Sequence, residues 1–228
     1  MKLAALFTGG KDSTYAIHLA KQQGHEIVCL ISLKSENQAS YMFHTPAIEL
    51  TELQAEAMRL PILFFPTKGE KEKELVDLEN AIVESRKKFE FEGLITGALF
   101  SEYQSSRIQT IADKLGLTVV SPLWHKSQED EMQELLDNNF EIIFTAVAAY
   151  GLDKSWLNKV ITLKDLNKLK KLKDKIGSNV AGEGGEFESL VLDCPLFKQR
   201  LVIEEFKIIE EAEHTARVIV KKAKLFEK

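Results

Sequence analysis

Short apolar runs and longer amphipathic stretches alternate along the first half of the chain. The runs Leu3 to Phe7, Ile27 to Leu33, Ile62 to Pro66, Leu94 to Thr96 and Leu117 to Val120 have the length and composition of buried strands. Between them, Asp12 to Gln23, Pro46 to Arg59, Glu70 to Phe89 and Gln104 to Leu115 carry apolar residues at helical spacing. In the first of these Ala16, Leu19 and Ala20 share a face, and Gly24 is a stop signal. Parallel neighbours need crossover connections, so five strands joined by helices predict an α/β fold with a five-stranded open parallel sheet covered on both faces. Ligands bind such sheets beyond the carboxyl ends of the strands, where the strand order reverses.

After "SPLWHK" the rhythm changes. One helix (Gln128 to Asn138), a strand (Glu141 to Val147), an amphipathic helix with Leu163, Leu166, Leu169 and Ile176 capped by Gly177, and two β-like runs at Arg200 to Ile209 and Ala216 to Leu225 follow, the last two able to pair as a hairpin. The change predicts a boundary near Leu123 to Ser127, dividing the chain into a domain of residues 1–125 and a smaller C-terminal α+β domain of residues 126–228. The string "VAGEGGEFESLVLDCP" between helix and hairpin is dominated by glycine and acid, and by itself it reads as an exposed acidic turn.

Composition narrows the class. A chain of 228 residues with 44% hydrophobic residues can bury a sizeable core. Lys plus Arg number 30 against 35 Asp plus Glu, so the charge pattern of a dedicated nucleic-acid binder is missing and no stable nucleic-acid partner is expected. Two cysteines, Cys29 and Cys194, are too few for a disulfide framework and point to a reducing, cytoplasmic setting. No run is long enough for a membrane span.

Chemistry concentrates at strand ends. After the first strand comes "TGGKDS", Thr8 to Ser13, which is not the nucleoside-triphosphatase loop: that pattern needs glycine where Ala5 stands and a hydroxyl where Asp12 stands. Gly9 and Gly10 between strand and helix expose backbone N–H groups at the positive end of a helix dipole, which suits an anion. The alternative is a tight turn in which Asp12 only caps the helix. Further on, Glu183, Glu186, Glu188 and Asp193 crowd one stretch, and several carboxylates near a nucleotide suit Mg²⁺, ammonium or a proton.

"TGGKDS" closely resembles the S-G-G-x-D-S signature of the PP-loop ATP pyrophosphatases, within the Rossmann-like nucleotide-binding folds, with threonine keeping the first hydroxyl. The likeness extends over nearly the whole chain to the diphthine ammonia ligase family through "SENQASYMFHT" (Ser35 to Thr45), "GEKEKE" (Gly69 to Glu74), "GALFSEYQSSRI" (Gly97 to Ile108), "AYGLDKSWL" (Ala149 to Leu157) and "AGEGGEFESLVLDCPLF" (Ala181 to Phe197). The resemblance implies ATP-dependent amidation, with Mg²⁺, of the diphthine carboxylate on translation elongation factor 2. Ammonium is the expected nitrogen source, since the chain begins Met1-Lys2 and has no room for a glutaminase domain.

The resemblance assigns Thr8, Gly9, Gly10, Lys11, Asp12, Ser13, Ser32, His44, Gly97 and Ala98 to the nucleotide. It assigns Glu183 and Glu186 to positions nearest the chemistry, with Glu188 in support, and leaves no metal ligand firmly identified. Gln104 and Arg107 are expected near substrate, and Tyr103, Tyr150 and Trp156 are candidates for an aromatic face under the trimethylammonium group of diphthine, although core packing is the commoner fate of such rings. A homodimer is compatible with the sequence. Competing functions are a PP-loop enzyme modifying tRNA, a ligase for another carboxylic acid, and a nucleotide sensor without catalysis.

Overall fold

A computed structural model of the chain describes residues 1–35, 50–70 and 73–228. Its first sheet is parallel throughout, with strands β1 (Lys2–Leu6), β2 (Glu26–Ser35), β3 (Ile62–Thr67), β4 (Gly93–Ile95) and β5 (Thr118–Val120) in the order β3-β2-β1-β4-β5. The strands are joined through α1 (Lys11–Gln22), α2 (Thr51–Met58), α3 (Lys73–Lys88) and α4 (Glu102–Leu115), as the periodicity predicts. Strand alternation decides which helices cover which face. Leu3, Ala5 and Phe7 join the cluster that holds Tyr15, Ala16 and Ala20 of α1, while Ala4 joins Leu78 and Ile82 of α3 and Ile108 and Ala112 of α4.

The second sheet is antiparallel, in the order β7-β6-β9-β8. It contains β6 (Glu141–Ala148), β7 (Phe187–Asp193), β8 (Gln199–Ala212) and β9 (Thr215–Glu227), with α5 (Gln128–Asp137) and α6 (Leu163–Ile176). The predicted hairpin is present as β8 and β9, with a turn at residues 213–214. The acidic string is not a turn throughout: from Phe187 onward it is β7, paired with β6. Here too alternation sorts the faces. Ile142, Phe144 and Val191 face the larger core with Leu166 and Leu169 of α6, whereas Ile143, Leu190 and Leu192 face Leu50 and Leu53 at α2.

Helix α2 therefore lies between the two sheets. Its Ala55, Ala57 and Met58 pack into the larger core while Leu53 packs on the antiparallel sheet. Gln54, fully buried, donates from Nε2 to the carbonyls of Gly9 (2.9 Å) and Val191 (2.8 Å), tying the end of β1 to β7. The strand order reverses between β1 and β4, so the crevice beyond their carboxyl ends lies over the β1–α1 loop and the segment after β4. Gly97 lets these two meet: a Cβ there would stand 2.7 Å from both Asp12 C and Ser13 N. Among the described residues no helix is long and apolar enough to cross a membrane.

Replacing Gln54 with alanine removes a buried donor from the Val191 and Gly9 carbonyls, the latter keeping its bond from Val191 N, at a cost of about 1–3 kcal/mol. Gln54→Ala is expected to lower the urea midpoint by an amount equivalent to roughly 1–3 kcal/mol in one cooperative transition. A midpoint unchanged from the parent would show that the clamp contributes nothing.

Candidate active site

The loop after β1 is shaped by hydroxyls and by the partner sheet. Gly9 takes a positive φ of 79°, and a side chain there would collide with Gln54 Oε1. The Gly9 carbonyl also accepts from Val191 N at 3.2 Å, and Lys11 N donates to Ser189 Oγ at 3.1 Å, so β7 supports the loop from behind. Thr8 Oγ1 and Ser13 Oγ lie 3.1 Å apart, and Thr14 Oγ1 donates to the Gly10 carbonyl at 2.8 Å. Gly10 at the N-cap provides no side chain and Asp12 does not take over the capping role, so the one side chain seen to meet the first turn of α1 is Ser189, which takes the Lys11 N–H.

Over this loop lies a cavity of about 700 Å³, within the range of ligand pockets. It is lined by Thr8, Gly10, Lys11, Asp12 and Ser13 of the loop, by Gly97, Ala98 and Gln104 after β4, and by Glu183, Glu188 and Ser189. The structure thus brings together the β1 loop, the β4 loop and the Gly182–Ser189 segment, which are far apart in sequence. Gly9 does not line the cavity. Ser32 is buried and donates its hydroxyl to the Phe7 carbonyl, bracing the end of β1 without lining the cavity. His44 lies outside the described residues.

Lys11 is nearly inaccessible, and its ammonium meets Asp12 at short range and Glu131 Oε1 of α5 at 3.5 Å. Burial opposes that charge, but Asp12 and Glu131 more than offset it and hold Lys11 above the usual lysine value. Burial pushes the Glu131 carboxyl, whose side chain is fully buried, above the usual carboxylate range, with Lys11 opposing the rise and the adjacent Asp12 carboxylate adding to it. The expectation of a direct phosphate contact from Lys11 changes accordingly: its ammonium is held between carboxyl groups. A second tie joins the same two helices, Tyr15 OH donating to Glu134 Oε2 at 2.7 Å.

Glutamates of the acidic string separate by role. Glu183 lines the cavity and is exposed, yet the protein around it, then Asp12, push its carboxyl above the usual value while Lys11 and the Phe100 N–H oppose them. Glu186 points away from the cavity. Its carboxylate accepts from Asn179 N, Asn179 Nδ2 and Gly184 N, each at 2.8 Å, and closes the turn that presents Glu183. A Cβ on Gly184 would enter that clasp 2.7 Å from Asn179 Nδ2, and Gly182 and Gly185 have positive φ. The pairing of Glu183 with Glu186 nearest the chemistry is therefore corrected: Glu183 and Glu188 line the cavity and Glu186 holds the turn. Asp193 serves at the far end of β7, accepting from Cys194 N and Lys228 Nζ.

Of the expected substrate residues, only Gln104 lines the cavity. Tyr103 carries the Arg107 guanidinium 3.6 Å above its ring, and Arg107 borders a separate hollow between α3 and α4. Trp156 is buried beside Phe144, with Lys159 and Lys168 ammoniums at 4.6 and 5.6 Å from its ring. Tyr150 is exposed, edge-on to His214. Sequence reasoning missed Glu131, Gln54, Asn179 and Ser189. Glu131 left one signal, a carboxylate beside Met132 and one turn before Leu135 on the buried side of α5.

The chain matches two family models, the diphthamide synthase N-terminal domain over residues 1–119 and the diphthamide synthase C-terminal domain over residues 127–226. Among curated proteins it is 36% identical to the bovine diphthine–ammonia ligase over 92% of this chain and 85% of that protein. The corresponding figures are 35%, 92% and 85% for the human enzyme and 37%, 90% and 83% for the rat enzyme. A solved structure described as a predicted subunit of tRNA methyltransferase from Methanocaldococcus jannaschii overlaps 86% of this chain and 98% of its own, at 16% identity and a TM-score of 0.45, too loosely to bear on function. The models span both sheets and the relatives are similar over most of their lengths, so this chain belongs to the diphthamide synthase family.

Proposed function

We propose that the protein is a diphthine–ammonia ligase that binds ATP through residues 1–125 and receives the diphthine side chain of translation elongation factor 2 where those residues meet residues 126–228. The observation that carries the reading is that the hydroxyl-bearing loop at the start of α1 and the Glu183 and Glu188 carboxylates of the C-terminal half line one cavity. The loop suits the β- and γ-phosphates, and the carboxylates suit the end of the nucleotide where the reaction occurs.

In this arrangement a diphthine carboxylate oxygen attacks the α-phosphorus of ATP. The bond from that phosphorus to the bridging oxygen breaks and pyrophosphate leaves into the loop. Ammonia then attacks the acyl carbon and AMP departs with the bonding electrons, giving the amide. The attacking nitrogen must lose a proton, and Glu183, raised above an ordinary carboxylate and lining the cavity, is suited to take it. Mg²⁺ would supply neutralisation of phosphate charge. It typically binds through one or two carboxylates plus phosphate oxygens, and the Asp12 and Glu188 carboxylates at the cavity suit that role.

Thiol chemistry, as in a thiolating tRNA enzyme, fits poorly. Cys29 and Cys194 are buried, and burial pushes both thiols up to about 12, far from the thiolate that sulfur transfer needs.

Purified protein given ATP, ammonium and diphthine-bearing elongation factor 2 is expected to form AMP, pyrophosphate and the amide; absence of all three sinks the reading. Glu183→Gln should bind ATP with the parent's affinity yet form amide about a hundredfold more slowly, as for loss of a general base. Because its carboxyl is raised, the acid limb of the parent's rate should lie above the usual glutamate range, with activity rising as pH rises through it, and Glu183→Gln should lack that limb. An unshifted limb in the variant would assign the titration to another group. Glu131→Leu should lose about 2–4 kcal/mol of stability by leaving Lys11 and Asp12 short of a polar neighbour. Glu131→Gln, which keeps a polar neighbour of the same shape, should lose less than about 1 kcal/mol, and equal losses in the two variants would mean that Glu131 is needed as an anion.

A further inference from the structure

Three aromatic side chains were expected to meet the trimethylammonium group of diphthine, and in the structure each is already engaged. Lysine ammoniums lie over Trp156, the Arg107 guanidinium covers Tyr103, and Tyr150 packs against His214, none of the three lining the cavity. A different aromatic group stands on the segment after β4, whose neighbouring residues line the cavity. Phe100 and His125 stack with centroids 5.9 Å apart, and His125 stacks on Trp124 at 4.7 Å. Phe100 is 42% exposed and sits between two residues that line the cavity, Leu99 and Ser101, its own ring lying just outside that lining.

We infer that the Phe100–His125–Trp124 stack is the subsite that receives the quaternary ammonium of the substrate and aligns its carboxylate with the nucleotide. The inference rests on the diphthine reading above. Diphthine bears its trimethylammonium on the carbon that also bears the carboxylate, so the group that recognises the cation must stand within a few ångströms of the reacting acid. Phe100 meets that condition, because its own backbone N–H faces the Glu183 carboxylate. The stack is held in place by the fold. His125 adopts a positive φ of 59° and donates its N–H to the Leu99 carbonyl at 3.0 Å, fixing the segment after β5 onto the segment after β4.

Charge favours a cation there. Glu183 lies on one side of Phe100, and the exposed Glu102 carboxylate is 3.9 Å from His125 Nε2 on the other. A quaternary ammonium donates no hydrogen bond and is weakly hydrated, so aromatic faces and diffuse negative charge are what can recognise it. A primary ammonium at the same carbon keeps the charge but must shed bound water to sit against the rings. The stack is thus a device for choosing the fully methylated acid.

The test measures KM and kcat for elongation factor 2 bearing diphthine, and for the factor bearing the unmethylated amino acid at the same position, with Phe100→Leu, Trp124→Leu and Phe100→Tyr. Phe100→Leu should raise KM for the methylated substrate roughly tenfold, leave KM for ATP within about twofold, and reduce the preference for methylated over unmethylated substrate by a similar factor. Trp124→Leu should do the same more weakly, and Phe100→Tyr should restore parent behaviour. A parent-like KM and methyl preference in both leucine variants would overturn the inference while leaving the ligase reading intact. A parent protein that forms no amide would overturn both.

Discussion

A buried ammonium has to be surrounded by acid, and in this protein that requirement joins the two halves of the chain. Lys11 sits in the loop after β1 with almost no solvent contact, and its neighbours are Asp12 from the same loop and Glu131 from α5. Leaving such a charge unpaired in the interior costs several kcal/mol. Helix α5 must therefore approach α1, and the Tyr15–Glu134 hydrogen bond repeats the connection one turn further along. Gln54 supplies the corresponding link on the other side of the loop, between Gly9 and β7. With both links made, the loop and the Glu183-bearing turn face each other across a fixed gap.

That geometry divides labour among acids that look alike in sequence. Within the Glu183 to Glu188 stretch, Glu186 spends its carboxylate on three hydrogen bonds, and its burial serves the shape of the turn. Glu183, two glycines earlier, is carried to the cavity, where nearby protein and the Asp12 carboxylate make it a better proton acceptor than an ordinary glutamate. The glycines make this possible. Gly184 leaves room for the clasp, while Gly182 and Gly185 turn the chain through positive φ on either side.

The parallel sheet and its helices were legible because local pattern and tertiary role agree there: apolar runs of strand length alternate with amphipathic stretches, and this topology satisfies both. The hairpin of β8 and β9 was legible for the same reason. β7 was not, because Glu186 and Glu188 in an otherwise apolar run mimic an exposed turn, and pairing with β6 overrides that appearance. At the site, glycines and hydroxyls announced the loop, since few other residue types can form it. The positions of Tyr103, Tyr150 and Trp156 followed from packing with Arg107, His214, Phe144 and two lysines, and sequence adjacency to a motif says nothing about those neighbours. Glu131 was hidden for a related reason: it belongs to an acid-rich first helical turn, which is favourable on dipole grounds alone.

On the ligase reading, the loop holds the leaving pyrophosphate and the Glu183 turn faces the reacting phosphorus. A crystal structure with ATP and Mg²⁺ bound tests it most directly. The account predicts β- and γ-phosphate oxygens against the backbone and hydroxyls of Thr8 to Ser13, with the α-phosphate open toward Glu183. An α-phosphate buried in the loop, with the γ-phosphate directed at the Glu183 turn, would contradict it.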